Sequence, residues 1–281
     1  MNAPKIQWYP GHIAKAERQL KKNLSKVDLV IEVRDARIPI ASSHARFEKW
    51  TTGKKHILVI NRQDMIIPED KTNWHKWFKE KNLDPLWCNA KSGIGISRIK
   101  QAAIQSGYEI NKRRVFRGMQ KRPIRALLLG FPNVGKSALI NRLVDKKVAA
   151  SSRRAGVTKS LQWVRIGNEI DLLDAPGILP PKIDDQDSAI LLAICDDIGE
   201  ASYDNEIIAT KFLKILEGFN NKYINNLNER YGIEYLQNNN GYDWLKAAAS
   251  IHTSSDTNRM AQRLLDDFRK KFLGKISLEK P

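Results

Sequence analysis

Residues 124–137, IRALLLGFPNVGKS, constrain this chain more than any other stretch. Ile124 to Leu129 is an apolar run of strand length, and Gly130 to Ser137 fits GxxxxGKS without a mismatch. Ala138, Leu139, Ile140 and Leu143 then offer a helical apolar face. Strand, glycine-rich turn and helix follow in the order such a loop requires. Gly130 and Gly135 let the backbone curl until the N–H groups of Asn133, Val134, Gly135, Lys136, Ser137 and Ala138 face a phosphate chain. The following helix adds the positive end of its dipole. Lys136 is a point charge for the β- and γ-phosphates, and Ser137 is a hard oxygen ligand for Mg²⁺. A glycine turn that merely joins a strand to a helix needs neither the lysine nor the serine. The stretch predicts a nucleoside-triphosphate site.

The chain has 281 residues, enough for one large or two modest domains, and carries 48 Lys and Arg against 31 Asp and Glu, a formal charge of +17. That excess goes beyond what solubility needs and predicts an anionic partner, nucleic acid before others. The cations recur in patches: Lys112 to Arg125 holds seven and no acid, and residues 142–159 add six more. Cys88 and Cys195 lie in apolar surroundings and are expected to be reduced core residues. No run of 18 apolar residues occurs, and Met1 to Tyr9 lacks the hydrophobic region of a secretory signal. The expectation is a soluble cytoplasmic protein without stable membrane insertion, or one of an organelle of bacterial descent. Nothing in the sequence demands an oligomer, so a monomer is expected.

Along the chain, a helix is expected over about Ile13 to Asn23, then strands over Val27–Val33, His56–Ile60 and Pro85–Cys88. Between the last two lies a helix bearing Trp74, Trp77 and Phe78. Leu161–Ile166 and Glu169–Leu173 form a hairpin turning at Gly167-Asn168. Strands alternating with helices predict an α/β fold with a mostly parallel sheet between helices. From Asp187 the pattern is helical, at about 188–198, 204–217, 221–229, 242–252 and 257–271. Two domains are expected, 1–190 around the phosphate loop and a small all-helical 191–281.

A phosphate loop accepts any nucleotide, so the base must be read elsewhere. Guanine offers N1–H and an exocyclic amine as parallel donors, for which a carboxylate is the natural partner. Asp64, past a strand end in Asn61-Arg62-Gln63-Asp64, supplies one. Asn61 can tie the loop together or touch the base, and Arg62 can lay its stem or guanidinium on the purine face. Asn89-Ala90-Lys91, past another strand end, gives a backbone N–H for guanine O6 and a lysine stem for the other face. Asp174-Ala175-Pro176-Gly177 ends a strand as required of an acid holding a Mg²⁺-bound water, with Gly177 N–H for the γ-phosphate. Thr158, between the two stronger motifs, is placed to add a hydroxyl to Mg²⁺. Alone, each short motif reads as an ordinary loop; together they point to GTP. An ATPase fits less well, because Asp64 would face adenine's N1 acceptor without a proton to bind.

Guanine-nucleotide switch proteins carry these elements as phosphate loop, switch threonine, DxxG, NKxD, SAK. Here the last two come first, at 61 and 89. The chain resembles the YlqF/RbgA-type circularly permuted ribosome-assembly GTPases. The likeness covers QWYPGHIAKA at 7–16, DARIP at 35–39, GFPNVGKSALIN at 130–141, GVTK at 156–159, LLDAPGI at 172–178 and DFRKKFLGKISLE at 267–279. Two departures stand out: Arg62 replaces the usual Lys, and residues 232–258 are Asn-rich without the family's glycine-rich pattern. The resemblance implies a P-loop GTPase fold with permuted motif order and a helical, RNA-binding C-terminal domain. It implies GTP turned over to GDP with Mg²⁺, and a monovalent cation such as K⁺. Its partner would be a large ribosomal subunit precursor with its rRNA. Ile178 follows DxxG where many switch proteins have a water-orienting glutamine, and the resemblance assigns that role to His12. Lys136, Thr158 and Gly177 complete the implied catalytic set. A regulatory GTPase with another anionic partner, or an RNA-binding scaffold with the nucleotide as a structural ligand, are the rival readings.

Overall fold

The computed structural model describes residues 22–43, 47–144, 162–174, 185–199, 202–219, 221–235 and 240–281. In chain order these form β1 (Leu29–Asp35), α1 (Phe47–Thr51), β2 (Lys55–Asn61), a 3-10 turn (Gln63–Met65), α2 (Pro68–Glu80) and β3 (Leu86–Trp87). There follow α3 (Ile96–Phe116), β4 (Ile124–Leu129), α4 (Lys136–Val144), β5 (Gln162–Ile166) and β6 (Ile170–Asp174). The rest is helical: α5 (Gln186–Ile194), α6 (Asn205–Glu217), α7 (Asn221–Tyr231), α8 (Gly241–His252) and α9 (Thr257–Arg269).

One sheet runs β3-β2-β1-β4-β6-β5, parallel throughout except for β5, which returns antiparallel on β6. β1 is central and buried on both faces, as a parallel strand covered on both sides must be. Leu29, Ile31 and Val33 join Ile99, Leu128 and Leu139 on one side. Val30 packs with Phe47, Trp50 and Leu127 on the other. The chain leaves β1 towards β2 and β3, then crosses back to place β4 on the opposite flank of β1. Strand order therefore reverses between β1 and β4. Parallel α/β sheets bind ligands outside the carboxyl ends of the strands at such a point. Asp35, Asn61 and Asp174 end their strands there, and the loop after Leu129 opens there.

The helical part closes its own core, from Ala189 and Leu192 through Phe212 and Leu245 to Phe268 and Leu278. Ile38, Ala41 and Phe131, from the loops after β1 and β4, insert into it. Aspartates and an asparagine cap its helix starts, Asp185 on Asp187 N–H, Asp204 on Glu206 and Ile207, Asn240 on Tyr242 and Asp256 on Arg259. After α9 the chain returns to the sheet part. Ile276 N–H donates to Met65 O (3.0 Å), Leu278 N–H to Arg37 O (2.8 Å), and Trp74 Nε1 to Ser277 Oγ (3.1 Å).

Several boundaries differ from expectation for local reasons. β1 continues to Asp35 because its end pairs with Asn61, so it lies two residues later than the hydrophobic run suggests. α5 stops at Ile194 because Asp196 is left-handed (φ 60°), and α9 stops at Arg269 ahead of left-handed Lys271. α7 runs on to Tyr231. Neither α1 nor α3 is among the expected elements. Both cysteines are free and buried, as expected. Among the described residues, no helix is long and apolar enough to cross a membrane.

Candidate functional site

The loop from Gly130 to Gly135 takes its shape from close approaches that only glycine permits. A Cβ on Gly130 would lie 2.5 Å from Val33 O, and one on Gly135 (φ 102°) would lie 2.2 Å from Asn61 Nδ2. Lys136, at the start of α4, is buried, and its Nζ donates to Gly130 O (3.1 Å) and Phe131 O (2.6 Å). Burial pulls the ammonium down to about 8, against the opposing pull of Asp174 and Asp197. Asp174 is also buried; burial raises its carboxyl and Lys136 only partly offsets the rise. Its Oδ1 has no hydrogen-bond partner among the described residues. A buried carboxylate oxygen left unpaired, on the strand beside the one that leads to Ser137, suits a hard cation that keeps most of its other ligands as water and phosphate. The residues present therefore fit Mg²⁺. Among the described residues no group of three or more His, Cys, Asp or Glu could hold a metal ion.

Asn61 joins the phosphate loop to the loops expected to read the base. Its Nδ2 donates to Val134 O (2.8 Å), and its Oδ1 accepts from Ala90 N–H (3.0 Å) and Cys88 Sγ (3.4 Å). Of the two roles open to Asn61, the tie between loops is the one seen. Asn89 Oδ1 accepts from Lys91 and Ser92 N–H (2.9 and 3.1 Å), shaping the second loop. The N–H groups of Ala90 and Lys91 are thus both engaged within the protein. A carbonyl approaching this loop must share Ala90 N–H with Asn61. Arg142, from α4, holds the same loop from behind through Ala90 O (3.4 Å) and Lys91 O (2.5 Å).

Arg62 is left-handed (φ 61°), and its guanidinium is committed: Nη1 to Asp35 Oδ2 (2.6 Å) and Asp197 Oδ1 (3.2 Å), Nη2 to Asn133 O. Of its two expected contributions, the aliphatic stem is the one this arrangement leaves to a purine. Arg37 donates Nε and Nη2 to Asp35 (3.0 and 2.7 Å) and Nη2 to Cys195 O (2.8 Å). Burial opposes ionisation of Asp35, but Arg37 and Arg62 outweigh it and hold the carboxyl below its ordinary range. Burial and the nearby Asp35 raise Asp197, whose Oδ2 has no hydrogen-bond partner among the described residues. Asn133 Nδ2 donates to Asp196 O (2.9 Å), a second link to the same turn. Asp64 accepts from Lys271 Nζ at Oδ2 (2.8 Å).

The described structure thus gathers Asn61, Arg62, Asp64, Asn89 to Lys91, Asn133 to Ala138 and Asp174 at one end of the sheet. His12, Thr158 and Gly177 lie outside the described residues. Asp35, Arg37, Arg142, Asp197 and Lys271 join the site without a sequence assignment. Asp35 and Arg37 stand in the DARIP stretch, Lys271 in DFRKKFLGKISLE and Arg142 in the basic patch 142–159, but nothing local marks Asp197.

Fold and loop together define a P-loop, GTPase-like protein with a mixed sheet and covering helices. The family described as "50S ribosome-binding GTPase" matches residues 125–227. Ribosome biogenesis GTPase A of Bacillus pumilus is 33% identical over 281 residues, covering 98% of this chain and 99% of that protein. The protein of the same name from Bacillus cereus is 38% identical over 231 residues, covering 82% and 77%. The crystal structure of GNP-bound YlqF from T. maritima superposes with a TM-score of 0.65 at 23% identity, covering 95% of this chain and 98% of that one, which shows the shared fold. The chain belongs to the ribosome biogenesis GTPase A family, the YlqF/RbgA type its motifs resemble.

Proposed function

We propose that this chain is a GTP-hydrolysing switch that binds a large ribosomal subunit precursor, promotes its maturation, and leaves on hydrolysis. The observation that carries this reading is the Asn61 side chain, which fastens the phosphate loop to the Asn89–Lys91 loop and so presents phosphate-binding and base-reading groups together. In this reading the fold is a circularly permuted GTPase, with the base-reading loops preceding the phosphate loop in the chain. Phosphates lie on the N–H groups of Asn133 to Ala138 and on Lys136. Asp64 takes the guanine donors, with the Arg62 and Lys91 stems on the ring faces. Ser137 and Asp174 hold Mg²⁺, joined by Thr158 in the triphosphate state; when bound, the metal neutralises charge developing on the phosphates. Gly177 N–H serves the γ-phosphate, His12 positions the attacking water, and a monovalent cation such as K⁺ would be a further cofactor. This reading keeps the division into 1–190 and 191–281, the second facing rRNA, although the helical core already begins with α5 at Ala189. The protein works as a monomer in the cytoplasm or in an organelle of bacterial descent.

The test is cosedimentation of the purified protein with large-subunit precursors at moderate salt. Binding in GMPPNP that is lost in GDP is expected, and equal binding in both states, or none, overturns the ribosomal switch. In single-turnover assays with precursors, His12→Ala should slow hydrolysis while sparing nucleotide affinity. An unchanged rate assigns the water to another group.

A further inference from the structure

At the far end of α3, away from the nucleotide loops, the surface carries a feature that GTP chemistry does not use. The helix begins beside the Asn89–Gly95 loop and runs 21 residues, about 31 Å at 1.5 Å per residue, to Phe116. Its apolar stripe, Ile96, Ile99, Ala103 and Gly107, is spent on the sheet. Phe116 is 92% exposed at the tip. Lys112, Arg113, Arg117 and Lys121 are exposed around it.

The tip is a built structure. Asn111 clasps Arg122 through both backbone groups (2.8 and 3.1 Å), Arg114 Nε donates to Gln120 O (3.2 Å), and Met119 N–H returns to Arg114 O (3.0 Å). The neighbouring acids are already neutralised: Glu109 pairs with Lys55 (2.6 Å), and Asp28 takes Arg122 through both its oxygens (2.7 and 2.9 Å). The four cations around Phe116 are left facing solvent.

We propose that this tip binds looped, single-stranded RNA, with a base stacked on Phe116 and flanking phosphates on Lys112, Arg113, Arg117 and Lys121. An aromatic face among cations is the combination that unpaired nucleotides select, because every base has a π-face and every linkage a charge. A lipid surface would need a long apolar face; the long stripe of α3 is turned inward, and Val115, Phe116 and Met119, exposed at the tip, are too few to form one. The inference rests on the ribosomal reading for its source of RNA, and it gives the protein a contact about 30 Å from the Asn89–Gly95 loop, measured along the helix.

The experiment uses the full chain, short stem-loop transcripts of large-subunit rRNA, a fully paired duplex of equal length, and precursor particles. Loops should bind better than the duplex. Phe116→Ala, which removes no buried contact, should weaken loop binding about 5- to 150-fold while leaving basal GTP turnover unchanged. Arg117→Gln/Lys121→Gln should flatten the slope of log affinity against log salt by about 1.4 for single strands. Loop and particle binding unaltered in both variants overturns the proposal and leaves the ribosomal reading intact. Loss of loop binding in a protein that does not bind precursors sustains the tip and sinks the ribosomal reading. Particle binding lost while no RNA is bound assigns the tip to a protein partner and overturns the proposal.

Discussion

Replacing Asp35 with alanine should be among the most damaging single changes outside the phosphate loop. The carboxylate is wholly buried and accepts from Arg37 N–H (2.8 Å), Arg37 Nε (3.0 Å), Arg37 Nη2 (2.7 Å) and Arg62 Nη1 (2.6 Å). Removing it strands Arg37, itself only 1% exposed, with Cys195 O as its remaining hydrogen-bond acceptor among the described contacts. Breaking a buried pair by deleting one partner costs about 3–5 kcal/mol, a large share of the ~5–15 kcal/mol that holds a typical protein folded. Urea unfolding followed by circular dichroism at pH 7 would read this as a lower midpoint at unchanged slope. Replacing both partners tests the cause. Asp35→Ala/Arg37→Met should be less damaged than the two single losses combined, with a coupling of about 0.5–3 kcal/mol. The acid limb gives a further check. The folded-state value of Asp35 is depressed, so its contribution is complete above the ordinary carboxylate range and disappears as pH falls through the lowered value. Asp35→Ala should lack that part of the acid-side loss. A single variant within about 0.5 kcal/mol of wild type, as for a surface change, or an additive double variant, refutes the reasoning.

Three other outcomes follow from the same geometry. Asp64→Asn should lower GTP affinity and favour XTP, since xanthine offers one donor and one acceptor where guanine offers two donors; retained GTP preference in competition binding places base reading elsewhere. Lys271→Ala should raise GTP affinity by at most about fivefold, because the half-exposed pair with Asp64 is worth ~0–1 kcal/mol and competes for the same carboxylate; a fall, by titration with a fluorescent analogue, would make Lys271 a positioning group. Gly135→Ala, which sets a Cβ 2.2 Å from Asn61 Nδ2 at φ 102°, should displace the loop, with weaker nucleotide binding and a stability loss of about 1–3 kcal/mol; wild-type affinity would show that Asn61 can move aside.

What the sequence makes legible is contiguous chemistry. GFPNVGKS carries its own turn, charge and helix start, and the strand-end positions of Asn61 and Asp174 follow from apolar runs that stop beside them. α3 escapes notice because two of its four buried positions are Ala103 and Gly107, which give a periodicity search little apolar signal. The supporting contacts are hidden for a different reason. Arg142 meets Lys91 across 51 positions, Arg62 meets Asp197 across 135, and Lys271 meets Asp64 across 207. Arg142 and Lys271 are ordinary charges by their immediate neighbours and Arg62 reads only as a base-stacking residue; the reversal of strand order and the return of the C-terminal segment bring each to its partner.

Those long-range contacts bear on how a nucleotide could be sensed by the helices. Phe131 stands inside the phosphate loop and inside the helical core, so the loop cannot shift without disturbing that packing. Asn133 bonds Asp196 through its side chain, and Arg62 bonds Asp197, so the phosphate side and the base side of the site both end on the turn after α5. That turn is strained, with Asp196 left-handed, and Asp197 is buried with one oxygen unpaired among the described residues. A ligand that drew Arg62 towards a purine would weaken its hold on Asp197 and leave a carboxylate more costly to bury, which favours movement of the turn. A ligand that kept Arg62 in place would favour the arrangement seen. The helices are therefore coupled to the nucleotide loops by electrostatics as well as by packing. The electrostatic link runs through Arg62, where an arginine with its several donors can bond two carboxylates and a carbonyl at once. A lysine there, with a single point of charge, would hold the turn less firmly than Arg62 does.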